Sequence, residues 1–98
     1  MNGLSVKEFF LNANFNSPQD ISMPIGSHVF HTNARNHDSF NRISLWATIR
    51  QGAAIEDRTF VVMLDNMMLP SADRIAYIAT ISQGEGAFVL HVFELIYD

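Results

Sequence analysis

The chain contains no cysteine. This absence excludes a disulfide framework, a thiolate zinc site and a cysteine nucleophile, and it makes a reducing compartment the expected location. No apolar run reaches the roughly 18 residues of a membrane span, and the N-terminus lacks a basic segment followed by an apolar one. We therefore expect a soluble, cytoplasmic protein, complete from its first methionine, with no membrane partner and no cofactor.

Charged residues are also scarce, at 16% of the 98 residues, against roughly 25% in typical soluble domains. A surface with so few charges carries more apolar area, which favours a homo-oligomer that covers part of it. The net charge of -4 argues against a nucleic-acid binder, whose affinity comes from basic side chains on phosphates. Lys7 is the one lysine, and the other basic residues are arginines, which suit bidentate contact with phosphate or carboxylate.

The hydrophobic content of 48% suffices for one core, so residues 1–98 are expected to form a single domain. Alternating, β-branched segments closed by turn-forming residues predict an all-β fold, an antiparallel β-sandwich or rolled sheet of about six strands. The predicted strands are 4–11, 27–35, 42–50, 58–65, 74–82 and 87–97, with a shorter extended piece at 20–23. The predicted turns are 12–19, 24–26, 36–41, 51–57, 66–73 and 83–86.

Two segments also fit a short helix. Residues 5–12 have apolar side chains at helical spacing and a capping box from Ser5 to Glu8, although a strand is narrowly favoured. Residues 64–69 fit a single helical turn before Pro70, which would place the methionines over an open end of the sheet. The last strand, 87–97, is apolar on both faces and should be covered on both sides.

The clearest pattern lies in residues 42–50, where alternation assigns each side chain to one face of a strand. The apolar face consists of Ile43, Leu45, Ala47 and Ile49. The other face consists of Arg42, Ser44, Trp46, Thr48 and Arg50. Two guanidiniums on either side of an aromatic ring, on the less buried surface, favour a binding site.

Two further arginines belong to this candidate ligand-binding site, since Arg35 ends the preceding strand and Arg58 begins the following one. In a meander, Arg35 would lie near Arg42 at one end and Arg58 would lie at the other. An adenine ring stacked on Trp46, with its phosphates held by arginines, is consistent with this arrangement. The alternative is that Trp46 packs in the structure with its N–H satisfied locally.

Five short pieces stand in order along the chain: I-S-M-P-I-G-S (21–27), S-L-W-A (44–47), R-T-F (58–60), Y-I-A-T (77–80) and H-V-F-E (91–94). They resemble a family of small uncharacterised, mostly phage-encoded proteins with the approximate pattern I-x-M-P-x-G-A, L-W-A, R-x-F, Y-I-x-T and H-V-F-E. The resemblance implies a phage accessory protein with an all-β domain and lends no settled activity. After R-x-F the family tends to carry a Thr-Gly-His-like turn, whereas this chain has residues 63–69, so no ligand contact of that turn is carried over.

The sequence shows no catalytic signature. His28 and His31 are three residues apart, so alternation sends them to opposite faces and they form no chelating pair. A two-histidine phosphodiesterase would need Thr or Ser two residues after each histidine, whereas Phe follows His28 and His91 at that place. The carboxylates show no spacing that demands a shared proton or a bound Mg²⁺. The sequence therefore predicts neither catalytic residues nor a metal site.

These patterns predict a binding protein rather than an enzyme. The first hypothesis is a homo-oligomeric phage accessory protein that sequesters an anionic, nucleotide-derived host immune signal in the host cytoplasm and so counteracts host defence. A cleft between two subunits would double the surface that one small domain can place around a ligand. The alternative is a protein–protein interaction inhibitor of a host or phage enzyme. A nucleotide phosphodiesterase is the third hypothesis.

At micromolar concentration the chain is expected to be at least a dimer, because few charges and a doubly apolar last strand leave more hydrophobic surface than one small sandwich covers. Sedimentation equilibrium measures this directly. A single 11.0 kDa species across the concentration range would contradict the expectation.

Overall fold

A computed structural model describes residues 3–35, 42–83 and 88–98. Within them the chain forms seven strands and no helix: β1 (Leu4–Asn12), β2 (Gln19–Pro24), β3 (His28–Arg35), β4 (Arg42–Arg50), β5 (Ile55–Met63), β6 (Arg74–Gln83) and β7 (Phe88–Ile96). They form two antiparallel sheets, sheet A in the order β1-β4-β3 and sheet B in the order β2-β5-β7-β6. The predicted all-β sandwich is confirmed. Residues 5–12 form a strand, and the short piece at 20–23 is part of β2.

The inner faces of the two sheets share one hydrophobic core. Leu45 and Ala47 of β4 are fully buried in it, as the alternation of residues 42–50 predicted. Sheet B contributes Phe60 and Val92, and β2 contributes Met23, all without exposed surface. Apart from Ala47, each of these side chains stabilises the fold by about 1.5–3 kcal/mol relative to an exposed one. None of the described segments is a helix of the length and hydrophobicity that a bilayer span requires.

Strand β7 lies between β5 and β6 and is covered on both sides, which explains its doubly apolar sequence. Its inner side chains enter the core. On its outer side, Leu95 joins Val61 and Met63 in a second, smaller cluster, against which Ala72 packs from the connection between β5 and β6. This connection therefore lies against the outer face of sheet B.

Two strands contain a β-bulge, and both are edge strands. The register shifts at Phe30 in β3 and at Ile78 in β6. An extra residue in one strand reverses the alternation beyond it, so side chains three residues apart share a face. His28 and His31 consequently both pair with outward-facing residues of β4. The prediction that they lie on opposite faces is wrong.

Two other expectations are corrected. The predicted meander does not form, because the chain passes from sheet A to sheet B after Arg50. β5 also begins at Ile55 rather than at residue 58, since Glu56 and Asp57 pair with β2 despite the low strand propensity of acidic residues. The turns predicted at 36–41 and 83–86 lie outside the described residues, apart from Gln83 at the end of β6.

Residues 64–69 form a turn rather than a helical turn. Asn66 adopts a φ of 68°, in the left-handed region that ends any right-handed helix. Met68 is 86% exposed, so the methionines do not cover an open end of the sheet. That alternative is wrong.

Met23→Ala is expected to lower the free energy of unfolding by about 2–5 kcal/mol, because it leaves a cavity between the sheets. Met68→Ala is the matched control, and it should change the free energy by less than about 0.5 kcal/mol because the side chain is exposed. Urea denaturation of both variants measures the difference. Similar midpoints for the two would contradict the position of β2.

Candidate functional site

The outer face of sheet A carries the central residue of the predicted site, and we call it the Trp46 face. The strand register places these described side chains on it: Leu4, Val6, Glu8, Phe10 and Asn12 of β1; Arg42, Ser44, Trp46, Thr48 and Arg50 of β4; His28, His31 and Asn33 of β3. Trp46 is half-buried and Arg42 and Arg50 are exposed. Three of the five predicted site residues thus share one face.

The two arginines lie at opposite ends of β4. Eight residues separate Arg42 from Arg50, which at about 3.3 Å per residue corresponds to about 26 Å. Trp46 lies midway. A ligand on the ring of Trp46 can therefore extend toward either guanidinium, and contact with both would require an elongated molecule.

Phe10 is an addition to the site that the sequence did not predict. The Cζ atom of Arg42 lies 5.3 Å from the centroid of the Phe10 ring, within the range of a cation–π interaction. Phe10 pairs across the strands with Ser44, so it is a diagonal neighbour of Trp46. Phe10 is 47% exposed. The pairing of β1 with β4 brings these side chains together, and no sequence spacing indicates that pairing.

The Trp46 face is basic although the chain has a net charge of -4. Glu8 is the single carboxylate among its described side chains, and it accepts a hydrogen bond of 2.5 Å from the hydroxyl of Ser44. Neither Arg42 nor Arg50 forms an ion pair with any described residue. The face therefore suits an anionic partner.

The other two predicted site arginines are placed differently. The backbone of Arg35 pairs with that of Arg42, as predicted, and its side chain lies outside the described part of the chain. Arg58 points into the space between the sheets, away from the Trp46 face. Its Nε and Nη2 each donate to Glu94 at 2.8 Å, and its Nη1 donates to the carbonyl of Ser27 at 2.6 Å.

The pair of Arg58 and Glu94 is an internal structural contact. The hydrogen bonds to Glu94 raise the pKa of Arg58, outweighing the opposing effect of burial, and the charges of Glu94 and Glu56 act in the same direction. The guanidinium also lies over the ring of Phe60, 5.6 Å from its centroid. Every arm of Arg58 is thus engaged within the protein.

A second polar cluster, which the sequence did not predict, lies on the outer face of sheet B. His91 Nε2 lies 2.6 Å from Asp65 Oδ1, and its Nδ1 lies 3.1 Å from Thr80 Oγ1. The hydroxyl of Tyr77 lies 2.8 Å from the same oxygen of Thr80. We call these four residues the polar relay. Their order, carboxylate, imidazole, hydroxyl and phenol, is suited to proton transfer.

Members of the polar relay border two cavities. One, of about 300 Å³, runs between β3 and β6 and is lined by Thr80 together with the residues of both bulges. The other, of about 240 Å³, is lined by Asp65 and His91 with residues of the connection after β5. No group of three or more acidic or histidine side chains suited to a metal ion occurs among the described residues.

Arg58→Ala is expected to lower the free energy of unfolding by about 3 kcal/mol, because it leaves the carboxylate of Glu94 without a partner between the sheets. Arg50→Ala removes an exposed arginine and should change it by less than about 0.5 kcal/mol. Thermal or urea denaturation compares the two variants. Equal stability of the two variants would contradict the assignment of a structural role to Arg58 but not to Arg50.

Comparison with known proteins gives a family and no activity. No curated protein and no solved structure matches the chain. One family model, described as "Domain of unknown function (DUF7352)", matches residues 7–98. The matched range includes the whole polar relay, the pair of Arg58 and Glu94, and all of the Trp46 face apart from Leu4 and Val6. The chain therefore belongs to the DUF7352 family.

Proposed function

We propose that the protein binds and sequesters an anionic small molecule with an aromatic base, and that the Trp46 face is its contact surface. The observation that carries the proposal is the guanidinium of Arg42, held over Phe10 diagonally across from the half-buried Trp46. An exposed ring stacks a base, and a guanidinium donates paired hydrogen bonds to a phosphate. Nucleotide-derived ligands offer both groups.

The spacing on the face favours a ligand larger than a mononucleotide. Trp46 lies four residues from Arg42, or about 13 Å along the strand. The lean of Arg42 over Phe10 brings the guanidinium toward the centre of the face. A dinucleotide, with two bases and two phosphates, can span Trp46, Phe10 and Arg42 together.

Sequestration requires a second wall, since a flat three-stranded sheet covers only one side of a ligand. A second copy of the Trp46 face supplies it by two-fold symmetry, with Leu4 and Val6 as apolar contacts. Without a ligand such an interface brings arginines of like charge close together. An anionic ligand between the subunits neutralises them, so binding and dimerisation should reinforce each other.

The biological setting proposed for this activity is a phage accessory protein acting in the host cytoplasm. The resemblance of the five motif pieces to mostly phage-encoded proteins supports this setting. The ligand would then be a nucleotide-derived host immune signal, and its sequestration would counteract host defence. Removal by binding needs no catalytic step at the Trp46 face.

One observation favours a second candidate function, the inhibition of a host or phage enzyme by direct contact. Leu4, Val6 and Phe10 form a row of exposed apolar side chains on β1, an edge strand of sheet A. Such a row beside an open strand edge suits contact with another protein. Native mass spectrometry after purification from host cells separates the candidates by whether a small molecule or a host protein is retained.

Trp46 is the one tryptophan of the chain, so its fluorescence reports stacking directly. Cyclic di-AMP is expected to quench it. Arg42→Ala should weaken binding by roughly 10- to 100-fold, the worth of a charge-assisted hydrogen bond of about 1.5–3 kcal/mol. Arg74→Ala is the matched control, because Arg74 is an exposed arginine on sheet B that pairs with Asp98. The proposal fails if Arg42→Ala binds as tightly as the parent, or if cyclic di-AMP, cyclic di-GMP and ADP-ribose all leave the fluorescence unchanged.

A further inference from the structure

The polar relay forms one directed chain of hydrogen bonds. The Asp65 carboxylate can only accept, so Nε2 of a neutral His91 carries the proton shared across 2.6 Å. Nδ1 is then an acceptor, and the Thr80 hydroxyl donates to it across 3.1 Å. Tyr77 in turn donates to the Thr80 oxygen. A carboxylate thus orients an imidazole whose free lone pair is aimed at a hydroxyl proton.

The bulge in β6 creates this arrangement. In a regular strand, side chains three residues apart point to opposite faces, so Tyr77 and Thr80 would be separated by the sheet. The extra residue Ile78 returns Thr80 to the outer face, where it pairs with His91 while Tyr77 pairs with Phe93. The bulge therefore assembles three members of the polar relay, and the connection after β5 adds Asp65.

Thr80 also lines a space in which a substrate can lie. The lining of the 300 Å³ cavity beside it includes the apolar residues Val29 and Phe30 of β3 and Ile78 and Ala79 of β6. Among the described residues, no carboxylate, lysine or arginine lines it, and it opens to solvent along the sheet edges. Because His31 and Thr32 also line the cavity, its wall is mixed, and it suits a small uncharged acyl group rather than an ionic one.

We propose that the polar relay is an ester-hydrolysing site in which Thr80 is the nucleophile, His91 its general base and Asp65 the residue that orients the imidazole. Tyr77 is the oxyanion donor, since its hydroxyl lies within hydrogen-bond reach of the attacking oxygen and can turn to a carbonyl oxygen beside it. The substrate class is a carboxylic ester with a small uncharged acyl group.

The chemistry balances without a cofactor. Thr80 Oγ1 attacks the carbonyl carbon while its proton passes to His91 Nδ1. The carbon–oxygen bond to the leaving group then breaks, and the proton on His91 passes to the departing alkoxide, leaving an acyl ester on Thr80. Water, deprotonated by His91, hydrolyses that ester and returns the free hydroxyl. This is the acid–base cycle of a hydroxyl nucleophile with an imidazole partner.

Acylation with p-nitrophenyl acetate tests the proposal, with release of p-nitrophenolate giving the rate and mass spectrometry of peptides locating the acetyl group. The wild-type protein is expected to carry acetyl on Thr80. His91→Gln should slow acylation at that residue by roughly 100-fold or more, and Asp65→Asn should slow it less. Thr80→Ser keeps the hydroxyl and should remain acylated.

Thr59→Ala is the matched control, because Thr59 is another threonine of sheet B whose hydroxyl donates to a carboxylate, that of Asp20, rather than to an imidazole. It should leave acylation of Thr80 unchanged. The melting temperature of each variant shows whether it is folded, and Thr80→Ser provides a test should His91→Gln unfold. Three results would each overturn the proposal. The first is acetyl found only on residues other than Thr80, and the second is a folded Thr80→Ser variant that stays unmodified at position 80. The third is a folded His91→Gln variant that is acylated as fast as the wild-type protein. The site lies on sheet B, so this test is independent of ligand binding at the Trp46 face.

Discussion

A half-buried guanidinium ties one sheet of this protein to the turn that leads into the other. Arg58 lies on the inner face of sheet B, where an unpaired charge would cost several kcal/mol. Glu94 of the neighbouring strand accepts two of its hydrogen bonds, and the carbonyl of Ser27 accepts the third. Ser27 belongs to the turn that carries the chain from β2 in sheet B to β3 in sheet A. The hydrogen bond to Ser27 therefore anchors the point at which the chain crosses between sheets, just before the hairpin that presents Trp46.

Much of the fold could be predicted because alternation is a local property. Residues 42–50 separate into an apolar and a polar face by period alone, and the structure keeps that division. Six of the seven strands, the short extended piece within β2 and most of the boundaries follow in the same way. The start of β5 could not be predicted, because Glu56 and Asp57 are extended only through pairing with a distant strand. The assignment of strands to the two sheets could not be predicted for the same reason. No local feature shows whether the chain after Arg50 turns back into sheet A or crosses to sheet B.

The sites were harder to predict than the fold, because two of their elements depend on bulges. A three-residue separation normally means opposite faces, and both His28 with His31 and Tyr77 with Thr80 violate this rule at a single inserted residue. The contact between Arg42 and Phe10 depends instead on the register of β1 against β4. The alternation of apolar and polar residues along one strand indicates neither the position of a bulge nor the register against a neighbouring strand. The sequence therefore indicated the arginines and the tryptophan but not their partners.

The piece H-V-F-E of β7 shows how one short segment serves several parts of the molecule. Its alternation sends His91 outward into the polar relay and Val92 inward into the core. Phe93 then packs against the second cluster, and Glu94 holds Arg58 between the sheets. A substitution at each of these four positions would therefore disturb a different part of the structure. The connection after β5 supplies Asp65 as the carboxylate facing His91. The imidazole is thereby oriented by a residue that the sequence pattern alone gave no reason to select.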